Sequence, residues 1–386
     1  MAPRPFILAT CMVLALVAPA SADDTGAFVF KLGQDTTSVE QYTRTPGRLE
    51  VHQVGRAPRT LERRYVYDYG KDGVITAFSM VVTPPMTLEP NPTQTVSATF
   101  KDSARTVSQT GTSPAQTAVA PFPKGTIAVT NSSPWVSYET LTMKLASGKA
   151  DSLRTTMYLV GGQTYWLSLR KLGRDSISVI NERGDQYHVK VDRAGMILGV
   201  LPVAGTQKFS VERVAKVDVD AIAASWLARE KAGAGMGTLS PRDSVVTNVA
   251  GASLWIDYGR PGKRGREVFG GIVPYGEVWR TGANAATQIR TDKALDFGGT
   301  VVPAGFYTLW TIPSPTGWKL IVNSETGQWG TAHKAEKDLF TVDMKLSALS
   351  QVVERFTISV DPAPEGGVLH LDWDTTRASA AFTVRP

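Results

Sequence analysis

The chain has 386 residues, 42% of them hydrophobic, and 41 Lys and Arg against 35 Asp and Glu give a formal net charge of +6. That length allows two ordinary domains and a core large enough to need no cross-links. The basic excess is small and spread along the chain, which argues against nucleic acid as a partner, and a single cysteine, Cys11, excludes an intramolecular disulfide and a thiolate metal centre.

Residues 1–22 have the layout of a Sec-type signal peptide: Arg4, an apolar run over 6–17, then Ala20, Ser21 and Ala22 at the cleavage positions. The run is too short to span a bilayer. Cleavage after Ala22, a periplasmic or secreted location, and no transmembrane segment in the mature chain are therefore expected. Cys11 would leave with the signal, and with it any cysteine nucleophile.

From residue 23 onward, alternation with a period of two dominates, as in half-buried strands. It runs through 27–32, 38–45, 49–54, 64–68, 74–82, 95–100, 153–160, 165–169, 176–180 and 187–191, broken by turns such as Thr45-Pro46-Gly47. Two segments depart from it. Residues 133–145 start on Ser133-Pro134 and space Trp135, Tyr138, Leu141 and Leu145 at helical intervals; residues 217–231 place Ile222, Trp226 and Leu227 on one helical face. The small, uncharged stretch AGAGMGTLSP (232–241) then reads as a linker. Eight more short strands follow, over 252–258, 286–290, 306–312, 318–322, 340–345, 355–360, 367–374 and 378–384. The expected fold is all-β with minor helix. An N-terminal antiparallel half-barrel (23–215) carries a covering helix, 216–242 form a helix and linker, and 243–386 form a jelly-roll-like β-sandwich.

Residues 258–312 hold the densest pattern. Between 260 and 290 lie six basic side chains, Arg260, Lys263, Arg264, Arg266, Arg280 and Arg290, against Glu267 and Glu277, amid six glycines. Guanidinium forks suit planar anions, so Arg260, Arg266 and Arg280 are candidates to hold a carboxylate, a phosphate or an acidic sugar. Lys263 and Arg264 read as solvated loop charges. Asn284 fits a turn that favours left-handed backbone, with ligand contact as the alternative. Of the C-terminal tryptophans, Trp255, Trp310, Trp318 and Trp373 fall within alternating strands and read as core. Trp279 and Trp329 fall in loops and, with Tyr275, are candidates for a stacking platform.

Catalytic signatures are sparse. The histidines His52, His188, His333 and His370 show no paired metal-ligand spacing, and no G-x-S-x-G elbow, S-x-x-K motif or phosphate loop occurs. No metal or cofactor is indicated. His333 is the one candidate base, with Asp338, Asp343 or Glu325 to orient it. Asp372 and Asp374, two apart in a strand, would share a face, which reads as ordinary polar patterning on a water-facing side, with a glycosidase-type carboxylate pair as the alternative.

The phrases FGGIVPYGEVWRTGAN (269–284), VPAGFYTLWTIP (302–313) and QWG (328–330) occur in that order and resemble the bacterial family known as domain of unknown function 2911. The resemblance spans roughly 252–329 and extends to the whole C-terminal unit. It implies a secreted or periplasmic protein and no reaction or cofactor. Members often carry an acid after the Gly-Ala-Asn turn, where this chain has Ala285. The leading expectation is a noncatalytic envelope protein binding a small anionic or carbohydrate ligand through Arg260, Arg266, Tyr275, Trp279, Arg280, Asn284 and Trp329. The alternatives are a hydrolase of envelope glycans or esters based on His333, and a purely structural loop that docks the two units.

Overall fold

The computed structural model describes residues 24–85, 93–101, 104–110, 116–123, 125–130, 134–159 and 163–385. Residues 1–22, where a signal peptide is expected and Cys11 lies, and Ser133 fall outside the described residues.

Fifteen strands form one sheet: β1 (Asp24–Leu32), β2 (Asp35–Thr45), β3 (Arg48–Gly55), β4 (Leu61–Tyr69), β5 (Ile75–Thr83), β6 (Gln94–Lys101), β7 (Ala104–Thr110), β8 (Gln116–Pro121), β9 (Ile127–Val129), β10 (Ser152–Leu159), β11 (Thr164–Lys171), β12 (Ser176–Asn181), β13 (Gln186–Val191), β14 (Ile197–Ala204) and β15 (Ser210–Val214). The order runs from β8 back to β1, then from β15 back to β9, so β1 and β15 join the two halves. The sheet curls without closing. Its ends approach where Phe122, just past β8, meets Tyr158 on β10, and where Arg105 on β7 donates to Thr164 Oγ1 on β11 at 3.1 Å. The alternation is literal in β13, where Tyr187, Val189 and Val191 are buried.

The concave face is partly filled by a 3₁₀ turn over Trp135–Tyr138 that leads into α1 (Glu139–Ser147), whose Leu141 and Leu145 join the core. A buried carboxylate fixes this helix. Glu139 pairs with Arg44 and Arg213, and its Oε1 accepts from Ile197 N at 2.7 Å. A buried charge with three donors is compensated, so the ion pairs join the apolar face in holding the helix. The convex face carries α2 (Val219–Lys231), capped by Asp218, which accepts from Ala221 N; Val219 and Ala223 pack on Val39 and Val54.

The second sheet comprises β16 (Arg242–Val249), β17 (Ala252–Gly259), β18 (Thr287–Thr291), β19 (Leu295–Phe297), β20 (Thr300–Val302), β21 (Gly305–Ile312), β22 (Trp318–Asn323), β23 (Asp338–Ala363) and β24 (Gly366–Val384), in the order β16-β17-β18-β21-β22-β23-β24-β19-β20. The long β23 pairs with β22 through its first part and with β24 through the rest. It thereby folds one sheet into the two layers of a sandwich around Trp318, Phe356 and Trp373. No helix among the described residues is long and apolar enough to cross a membrane.

The 260–286 segment between β17 and β18 docks the two sheets. Gln34 N, in the β1–β2 turn, donates to Arg264 O at 3.1 Å, and Arg264 Nη1 meets Asp35 Oδ2 at 2.7 Å. Gly33 sits at φ 63° in that turn, where any Cβ would run into Arg264 O, so only glycine permits the approach. Lys263 pairs with Asp374. The expectation of solvated charges at Lys263 and Arg264 is therefore wrong: both are neutralised, and Arg264 is 11% exposed.

Candidate functional site

Between the sheets lies a cleft of about 510 Å³. The first sheet supplies Arg183, Lys208 and Phe209 to it, the linker Leu239, and the docking segment Arg266, Trp279, Arg280 and Asn284. Four cations line it and no acid does, among the described residues.

Arg280 is the central group. Its Nη1 donates to Gly330 O at 3.1 Å and its Nη2 crosses to Gly205 O of the first sheet at 3.3 Å. Its Nε is shut from solvent and meets no acceptor. Burial pushes its pKa down from 12.5 to about 10, with Asp185 pulling the other way. At about 1.4 kcal/mol per pH unit, the charge is roughly 3 kcal/mol worse off than in water. Asp185 gives limited relief because its carboxylate is engaged by Thr206 N at 3.0 Å, Gln207 N at 3.4 Å and Asn181 Nδ2 at 3.5 Å.

The other cations reinforce this imbalance. Burial lowers the pKa of Lys208, and the charges of Arg280 and Arg266 lower it further. Arg266 is lowered by burial and by Arg264, and its donors go to the carbonyls of Lys263 and Gly262. Asp185, Glu354 and Asp35 offset this only in part, and like charges so gathered favour an anion.

The backbone around Arg280 is held in costly conformations. Thr281, a β-branched residue, sits at φ 51°, and Asn284 at φ 63°. Thr281 is fully buried; its Oγ1 donates to Thr311 Oγ1 at 3.2 Å and its carbonyl accepts from Thr287 Oγ1 at 2.7 Å. Strain held in place by buried hydrogen bonds fixes the direction of the neighbouring arginine.

The structure thus brings Arg266, Trp279, Arg280, Asn284 and Trp329 to one cleft and leaves Arg260 and Tyr275 outside it. Arg260 is spent within the sandwich, on Phe356 O, Asp243 and Thr357 Oγ1. Tyr275 is 42% exposed and packs over Gly270. Trp279 is no stacking platform. It is 8% exposed, stacks on Trp373 at 6.0 Å, packs edge-on against Phe356 at 5.1 Å and donates Nε1–H to Gly282 O at 3.1 Å. Trp329 remains open, 40% exposed at the rim, while Trp310, Trp318 and Trp373 are core as expected.

His333 Nε2 lies 2.9 Å from Asp338 Oδ1 and packs edge-on to Trp310, away from the cleft lining. Asp338 is shared with Asn323 Nδ2 at 2.7 Å, so the pair serves the loop after β22. Asp372 is bound by Arg377 at 2.8 and 2.6 Å. Asp374 turns to φ 56° and pairs with Lys263, so the two acids do not form a catalytic pair. His52, Glu62 and Asp220 bring ligand-capable atoms within 4.8 Å of one another on the α2 side. Asp220 lies 158 positions beyond Glu62, which hid that trio in the sequence.

Lys208 and Arg183 were also missed. Each stands alone among uncharged or mixed neighbours, and only the turns at Gly184 and Gly205 carry them to Arg280.

Residues 240–382 match the family described as "Protein of unknown function (DUF2911)". The DUF2911 match reaches well past 252–329 and takes in nearly all of the second sheet. No curated protein matches the chain in sequence. Among solved structures, a DUF1089-family protein from Pseudomonas aeruginosa is 11% identical with a TM-score of 0.33, over 43% of this chain and 90% of its own. A β-barrel-like protein of the DUF1849 domain from Brucella abortus is also 11% identical, with a TM-score of 0.34, over 50% of this chain and 94% of its own.

Proposed function

We propose that the protein binds a small anion, a carboxylate or phosphate, in the cleft between its two sheets, and does so without catalysis. The observation that carries this reading is Arg280, a buried guanidinium held between two backbone carbonyls, with no salt bridge and only a partial counter-charge from Asp185. Lys208, Arg183 and Arg266 share the cleft, so an entering anion would relieve several unfavourable charge terms at once. The site is thus a joint product of both sheets and the linker rather than of the C-terminal sheet alone. Export through the signal at 1–22, with cleavage after Ala22, belongs to the same proposal and is checked by the N-terminal sequence of the protein recovered from the cell envelope.

Calorimetry and thermal unfolding with acetate, citrate and phosphate test the binding. Stabilisation of about 2.7 kcal/mol is expected at a hundredfold excess over the dissociation constant. It should vanish in Arg280→Met and fall in Lys208→Met. Equal responses of wild type and Arg280→Met would overturn the proposal.

A second reading is favoured by the Arg264–Asp35 pair: the signature segment acts as the bolt between the sheets. The two readings are compatible, since a bolt that sets the cleft width also sets the distance from Arg280 to Lys208.

A further inference from the structure

A second cavity of about 200 Å³ lies in the hollow of the first sheet, and it and the cleft share Ala57, Arg183, Gln207, Phe209 and Leu239 as walls. One side of the inner chamber is apolar and aromatic, formed by Trp135, Tyr138, Met157, Leu167, Val179 and Tyr187, while Gln53, Arg63, Asn181 and Asp185 line the rest. Its aromatic floor is ordered: Trp135 packs on Tyr138 at 4.8 Å and edge-on against Tyr187 at 5.1 Å. Burial raises the pKa of both Tyr138 and Tyr187, so both hydroxyls stay neutral. A chamber of this size exceeds the cavities of about 150 Å³ that take up benzene. The curled sheet uses only part of its hollow for α1, and what remains borders the cationic cleft.

We infer that the ligand is an amphiphilic anion, with a carboxylate or phosphate head at Arg280 and Lys208 and an apolar chain or ring in the chamber of the first sheet. This rests on the anion-binding reading above. Arg183 stands at the passage, lining both cavities with its guanidinium 5.9 Å from the Tyr165 ring. Phe209 and Leu239 give the same passage an apolar wall. A plain inorganic anion would leave the chamber unused. A neutral hydrocarbon would leave the cations unpaired. One molecule with both parts satisfies both ends.

The test is calorimetric titration of the full chain with acetate, octanoate, octyl phosphate and octanol. Octanoate or octyl phosphate should bind at least about tenfold tighter than acetate, since burial of two methylenes suffices for that factor; the stronger of the two identifies the head group. Octanol should bind more weakly than either. Val179→Phe, which fills the chamber, should remove the octanoate advantage over acetate. Because that variant could lose its fold, an octanoate carrying a terminal diazirine is also photolinked to the unmodified protein and the adduct mapped by mass spectrometry. Labels on the segments 135–138, 157–159 or 179–187 are expected. Labels confined to the outer surface overturn the inference. Equal binding of acetate and octanoate, both dependent on Arg280, overturns the chain chamber and leaves the anion site standing. Binding of none of the four sinks both.

Discussion

Gly330 passes so close to Arg280 that any Cβ built on it would run into the arginine Cδ, while its carbonyl accepts from Nη1 at 3.1 Å. The glycine both makes room for the guanidinium stem and caps it. Gly330→Ala should cost about 1–3 kcal/mol in chemical denaturation, the usual range for overpacking, and should weaken anion affinity along with stability. A fully stable variant with unchanged affinity would show that Arg280 is held differently.

Loss of the Arg264–Asp35 pair should uncouple the sheets. Arg264→Met removes the charge that meets Asp35 at 2.7 Å and leaves Asp35 only the longer contact with Arg56 at 3.9 Å. We predict that urea unfolding, followed by tryptophan fluorescence and far-ultraviolet circular dichroism, separates into two transitions in Arg264→Met but not in wild type. A double-mutant cycle with Asp35→Asn should return a coupling of about 0.5–3 kcal/mol.

Glu139 predicts a larger effect. It is fully buried and faces Arg44 and Arg213 on the concave side of the first sheet. Glu139→Ala takes the carboxylate from Arg213 and leaves Arg44 with Asp24, and should destabilise by about 3–5 kcal/mol. Glu139→Gln should recover part of the loss through the Ile197 contact. Equilibrium denaturation at neutral pH reads both.

Glu40 sets a pH dependence of defined sign. Burial raises its pKa from 4.5 to about 8, against the lowering donation from Gln53 Nε2 at 3.1 Å. Between those two values the folded protein keeps a proton that the unfolded chain has released. This contribution therefore weakens the fold as pH rises from about 5 to 8, by up to about 1.4 kcal/mol per pH unit. Glu40→Gln should flatten that part of the stability profile. An unchanged slope would mean that Glu40 is ionised in the fold.

Much of this was legible in the sequence, and the failures share a cause. Period-two alternation located most strands, because burial on one face of a sheet is a local pattern. Val189 and Val191 announce β13 within six residues. Spacing also marked Leu141 and Leu145 as the packed side of a helix. Partners distant in sequence leave no such pattern. Arg264 looked solvated because Asp35 lies far upstream, and Arg260 looked available because Asp243 and Thr357 come from other strands. Trp279 looked like a surface aromatic because its loop gives no hint that Trp373 stacks on it. The cleft itself was invisible for the same reason. Its cations at 183, 208, 266 and 280 converge only when the docking segment closes on the turns of the first sheet.

The most direct test of the central claim is a crystal grown in selenate and measured at the selenium edge. The anion account predicts an anomalous peak within hydrogen-bond reach of Arg280 and Lys208 in the cleft, absent from crystals of Arg280→Met. Selenate peaks elsewhere on the surface, with the Arg280 cleft empty, would contradict it.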